Sequence, residues 1–147
     1  MAGLSNTLEK ELLDRIFKQT AMSGISALHV SIHSADPADT GANELPLAGG
    51  YARQQLDPDV NNTTHTNWSS VGTTGTAQEV TNAAAITFPT ATADWNGGSP
   101  VTYFGLFTAG TGGTFIGGGQ VNGTTGAYVL SGNILSFPIG NLHFQID

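Results

Sequence analysis

From Leu28 to the C-terminus, apolar residues come in short runs, each cut off by Gly, Asn, Thr, Ser or Pro. Leu28, Val30 and Ile32 alternate with His29, Ser31 and His33, the period-two pattern of a strand with one buried face. Residues 51–56, 77–80, 84–88, 101–108, 114–121, 127–130, 134–137 and 142–146 read as further strands, while 67–75 is ambiguous. Ala109-Gly110-Thr111-Gly112-Gly113 reads as a hairpin connection. Many short strands broken by turn residues predict a mostly β fold: an antiparallel β-sandwich of jelly-roll type. No β-α-β alternation is present, which argues against a parallel sheet.

The exception is the N-terminus. Leu8, Leu12 and Ile16 recur at helical spacing, with Leu13 and Phe17 widening the stripe, and predict one α-helix over residues 6–20. Asn6 followed by Glu9 resembles a capping box, Glu11–Arg15 and Asp14–Lys18 are favourable i,i+4 pairs, and Gly24 is the expected stop. The chain of 147 residues therefore reads as one domain. A helical segment occupies 1–22 and a β-sandwich 27–147. The loop 34–50, rich in Asp, Pro and Gly, is long enough to suggest an interface arm or a lid over a sheet edge.

Charge narrows the function. All four basic residues, Lys10, Arg15, Lys18 and Arg53, precede residue 54, and the net charge is −7. Nucleic-acid backbones and anionic membranes are poor partners for such a chain. There is no cysteine and no run of apolar residues long enough to span a bilayer. The N-terminus lacks a signal-peptide pattern, so synthesis in a cytosol is expected.

Candidate chemistry is thin. His29 and His33 sit four apart on a strand, roughly 13 Å, too far to share an ion, and read as outward-facing. Asp36, Asp39 and Glu44 in one loop, and Asp57 and Asp59 in another, match no calcium-loop spacing. Gly110-Thr111-Gly112-Gly113 and Gly117-Gly118-Gly119 lack the Lys-Ser/Thr step or following helix of a phosphate loop, and read as a turn and as a bulge or close backbone approach. No nucleophile elbow occurs. Glu79 and Asp94 are the only acids in the β region that could form a glycosidase pair. No catalytic residue, metal, cofactor or small-molecule substrate is therefore expected. Trp68 and Trp95 could stack on sugars, anchor an interface or cap the core. Arg53, on one strand face with Tyr51, is expected to pair with an acid, within the chain or across a subunit boundary. The residues expected at an interface are Leu8, Leu12, Tyr51, Arg53, Trp68 and Trp95.

Several segments taken in order carry a resemblance: Met1-Ala2-Gly3-Leu4-Ser5-Asn6 opening a helix with Leu12-Leu13-Asp14, then Ser34-Ala35-Asp36-Pro37 with Thr40-Gly41, Gly49-Gly50-Tyr51-Ala52-Arg53-Gln54, Asn67-Trp68-Ser69, Ile86-Thr87-Phe88-Pro89 and Phe104-Gly105-Leu106-Phe107. Over nearly its whole length the chain resembles small tailed-bacteriophage virion proteins, tail-fibre-like or capsid decoration (cement) proteins. The resemblance implies a non-enzymatic β-sandwich built into a virion as an oligomer. The expected role is capsid decoration: a homotrimer on the outer capsid that binds between major capsid protein subunits. The alternative is a tail-fibre or receptor-binding module contacting host glycans, and a glycan-degrading enzyme is the third reading. His143 and Gln145 stand where the family usually has smaller or more β-branched residues, which suggests a specific contact.

Overall fold

The structure, a computed structural model, describes residues 4–19, 25, 27–57, 67–75, 77–121 and 125–146. Its one α-helix, α1, spans Asn6–Lys18. The strands are β1 (Leu28–His33), β2 (Gln54–Asp57), β3 (Gly72–Thr74), β4 (Ala77–Thr81), β5 (Ile86–Thr87), β6 (Tyr103–Phe107), β7 (Phe115–Gln120), β8 (Ser136–Phe137) and β9 (His143–Ile146). They form a four-stranded sheet β2-β1-β6-β7, a three-stranded sheet β3-β4-β9 and the pair β5-β8, and every pairing is antiparallel. The fold is mostly β with one helix, as expected. The strands divide four, three and two among three sheets that share one core.

That core takes Val30, Ile32, Leu56, Phe104, Leu106 and Ile116 from the first sheet, Phe144 from the second and Ile86 and Phe137 from the third. Tyr51, Phe88, Trp95, Val101, Val121, Val129 and Leu142 join it from the connections. Gly117-Gly118-Gly119 is a close approach, as its composition suggests: a Cβ on Gly118 would collide with the Phe104 carbonyl oxygen of the neighbouring strand. Asn82, fully buried, joins three connections. Its amide donates to the carbonyls of Ala84 and Pro138, and its side-chain oxygen accepts from Leu142 N.

The β1 pattern misleads in one respect. Val30 and Ile32 enter the main core, but Ser31 and His33 are also 0% exposed. The outward reading of His33 is thus overturned, because the loop after β1 folds back over that second sheet face. Ser34 N bonds to Asn43 O, Leu45 N returns to Ile32 O, and Pro37 is buried. Gly41, at φ +75°, lies flush on Phe107 and Phe115, and a Cβ there would sit 2.6 Å from the Phe107 ring. The loop is therefore a strap across a sheet face, where a lid over a sheet edge was one expectation.

The helix begins at Asn6, as the spacing predicts, but its cap is one residue earlier than expected. Ser5, not Asn6, is the N-cap, and its hydroxyl accepts from Leu8 N at 3.2 Å. Ser5 is 1% exposed and its own N–H bonds Ile116 O, while Leu4 bridges Gly117, so the helix springs from the edge of β7. Gln19, left-handed at φ 55°, closes the helix through its N–H to Asp14 O, and the expected stop at Gly24 lies outside the described residues. Ser5→Ala is expected to cost about 1 kcal/mol, the usual worth of such a cap. Because the helix is otherwise weakly packed, the loss should appear as early melting of the far-UV helical signal, ahead of the β core. Coincident melting of both signals would refute this.

Candidate functional site

The best-organised polar cluster lies where the strap meets the first sheet. Arg53 Nε donates to Glu44 Oε1 at 2.7 Å, and Nη2 to Oε2 at 2.6 Å, a bidentate pair. Nη1 donates to the carbonyls of Ala109 and Gly112 in the β6–β7 hairpin, and the guanidinium carbon lies 3.5 Å from the centroid of the Phe107 ring. The Tyr51 hydroxyl donates to Glu44 Oε1 and accepts from Ile32 N. Arg53 finds its acid within the chain, one of the two placements expected. Burial alone would raise the Glu44 carboxyl, but hydrogen bonds from Arg53 and Tyr51, with the charge of Arg53, hold it below its usual range.

Beside this cluster, His33 Nδ1 lies 2.7 Å from Ala42 O and Nε2 lies 2.8 Å from Ser31 Oγ. A carbonyl only accepts, so Nδ1 carries the proton and Nε2 accepts from the serine. The ring stacks on Phe107 and tilts against Phe115. Burial pushes the imidazole below its usual pKa, against the pull of Ala42 O and Glu44. This Ser–His contact is sealed from solvent and serves packing.

The signs give a pH prediction. The unfolded His33 takes a proton as pH falls through about 6.5, while the folded ring resists, so stability drops below that point. His29, lowered by burial and by Arg53, acts in the same direction. Glu44, depressed in the fold, adds stability above about 4.5 that is lost on further acidification. The urea midpoint should hold from pH 8 to 7 and then fall in two stages on acidification. His33→Gln should flatten the upper stage, and an unchanged profile in that variant would count against the assignment.

A cleft of about 410 Å³ opens between the end of the strap and the turn Trp95–Gly98. Glu44, Leu45, Pro46, Tyr51, Asp94 and Asn96 are among its walls. Trp95 Nε1 donates to Gly49 O and ties the two sides together. Two carboxylates make the cleft unfavourable for anions. Tyr51 and Trp95 are only 4% and 3% exposed, so they form its backing and offer no open stacking face.

The acids have separate duties. Asp36 Oδ1 accepts from Ala38 N, a turn contact, and Asp94 Oδ1 accepts from Ser131 N. Asp59 and the Asp57 side chain lie outside the described residues. Glu79 is held by Gln145 Nε2 and lies 3.1 Å from His143 Nδ1, so the two unusual residues of the last strand converge on one carboxylate. No group of three or more metal-ligating side chains occurs among the described residues, nor is any described helix long and apolar enough to cross a membrane.

Of the residues expected at an interface, Tyr51 and Trp95 lie in the chain's own core, and Arg53 is engaged as above. Trp68 is half-buried against the core, its indole N–H finding no acceptor among the described residues. Leu8 also packs on the core, whereas Leu12 is exposed. Leu13, Ile16 and Phe17, read from the sequence only as the widened stripe, are exposed as well, so α1 turns its apolar face to solvent. Lys10 and Lys18 both bond Asp14 on the charged side, at 2.5 and 2.7 Å. A protein-family model described as Podophage GP4 fiber I protein gp80 matches residues 3–145. No curated protein matches the chain.

Proposed function

We propose that this chain, which belongs to the podophage GP4 fiber I protein gp80 family, is a fibre subunit that attaches to the virion through its N-terminal helix and presents its β body outward. Family membership supports the broader statement, a structural protein of a phage virion, and the family's description names a fibre. The observation that carries the attachment role is α1: capped, rooted on β7, and apolar on a side that the β body leaves uncovered. The body beyond Arg53 has so few charges that water and a neighbouring protein are both tolerable surroundings for it. In this role the chain is a building block, and no reaction is assigned to it.

Capsid decoration is the second reading, favoured by the same helix, since an exposed apolar face also suits a seat between major capsid protein subunits. Binding only the assembled shell would then stabilise it. Electron cryo-microscopy of intact particles separates the two. Density for the chain around the tail, in a few tens of copies or fewer, is expected. Density spread over the icosahedral shell in hundreds of copies would replace the fibre reading with the decoration one.

A further inference from the structure

We propose that residues 38–44 of the strap are a releasable cover, and that their Glu44 fills a carboxylate receptor which the β body builds on its own. The donors of that receptor are fixed by groups outside the cover. The Arg53 side chain, 6% exposed, is held by the carbonyls of Ala109 and Gly112 and by the Phe107 ring. The Tyr51 hydroxyl is set by Ile32 N, and its ring packs on Phe88 and Trp95. Arg53 Nε and Nη2 and the Tyr51 hydroxyl all converge on the place that the Glu44 carboxylate takes. A fork of two parallel N–H donors fits any carboxylate, tethered or free.

The cover itself is thinly held. Pro37 and Leu45 are buried and anchor its two ends, while Ala38, Asp39, Thr40, Ala42 and Asn43 between them are exposed. Apart from Glu44, it reaches the sheet through the hydrogen bond from His33 Nδ1 to Ala42 O and through Gly41, which sits on Phe107 and Phe115 and brings no side chain. Its backbone is strained as well: Ala38 at φ 49° and Asn43 at φ 61° are left-handed without being glycine. Release frees both residues. It also uncovers Phe107 and Phe115, now 6% and 5% exposed, with Ser31 and His33 beside them.

The cleft beside the strap is the way in, since Glu44 and Tyr51 are both among its walls. While Glu44 is seated, its carboxylate and that of Asp94 keep anions out. Release withdraws one of the two and leaves the Arg53 and Tyr51 donors unpaired, so the same cleft then takes a carboxylate. Glu44 is tethered next to its receptor, and its effective concentration there is high, which makes the closed form the resting one. The ligand class is therefore a carboxylate that competes with Glu44 only once the cover lifts.

Acetate is the probe for the receptor. The urea midpoint of Glu44→Ala should rise saturably with sodium acetate and stay level in sodium chloride of equal ionic strength. If that variant is unfolded by itself, the same titration should restore its β-sheet circular dichroism. The wild type should not respond, because tethered Glu44 outcompetes acetate, and Glu44→Ala/Arg53→Gln should not respond because the fork is gone. Hydrogen exchange on the wild type reads the release. The amides of Ser34 and Ala42, bonded to Asn43 O and Pro37 O, should exchange at least about tenfold faster than those of β6, through an opening that urea hardly accelerates. No acetate effect on Glu44→Ala, an equal effect on the wild type, or one that survives Arg53→Gln would overturn the receptor. Exchange of Ser34 and Ala42 at the rate of β6 would overturn the cover.

Discussion

Arg53→Ala is expected to remove about 3–5 kcal/mol of folding stability, the usual penalty for stranding one member of a buried pair. The Arg53 side chain is 6% exposed and that of Glu44 18%, so little water can reach the carboxylate that is left behind. Two hairpin carbonyls and the Phe107 ring face lose their partner in the same step. A domain of this kind has about 5–15 kcal/mol in total, so the variant should sit near the edge of folding. Arg53→Lys should recover only part, because one ammonium cannot span both Glu44 oxygens and two carbonyls. Arg53→Met/Glu44→Leu, which deletes the whole pair, should be markedly less harmful than Arg53→Ala. Urea denaturation of the three variants gives the comparison. A loss below about 1 kcal/mol for Arg53→Ala would show that the pair is solvated in practice.

Phe88→Ala should cost a similar amount, about 3–5 kcal/mol, through the cavity it opens. Phe88 is 1% exposed, and its ring centroid lies 6.2 Å from Tyr51, 6.0 Å from Trp95 and 6.2 Å from Phe137. Tyr51 and Trp95 meet edge-on at 5.3 Å, so the group is one interlocked aromatic cluster. Phe88→Leu should lose chiefly the ring contacts, each worth about 0.5–1.5 kcal/mol. Since Tyr51 and Trp95 also back the cleft, Phe88→Ala should weaken the near-UV dichroism of both. A full near-UV spectrum beside a large stability loss would mean that the cluster closes up around the gap.

The strands were legible wherever a run of apolar residues is bounded by turn residues. β1, β4, β6, β7 and β9 fall within one or two residues of their apolar runs. The stretch 127–130 did not become a strand. Ala127 bridges Val101, but Val129 O is spent on Trp95 N, so its bonds serve a turn. Residues 51–53 precede the β2 ladder because Tyr51 and Arg53 are occupied with the strap. The burial of His33 was hidden for a related reason: local alternation cannot report a loop that returns from ten residues downstream. A clue was present in β6, where Phe104 and Leu106 fill one face and Phe107 the other, the mark of a strand covered on both sides. The stripe on α1 was plain in the sequence, but periodicity does not say whether a stripe meets its own core. Only the fold shows that most of it does not.

The pairing of β1 with β6 sets a timetable. Val30 lies opposite Leu106, about half the chain away, and both flanking strands of that central pair are laid onto it. At about 5–20 residues per second, a ribosome releases β1 several seconds before its partner exists. During that interval β1 has β2 and the strap on one edge but nothing on the edge that β6 will take, while the local bonds of α1 can already form. Closing so distant a contact places the chain among the slower folders, in the range of about milliseconds to seconds once complete. Each copy would therefore spend a measurable part of its early life with one edge of its central strand open.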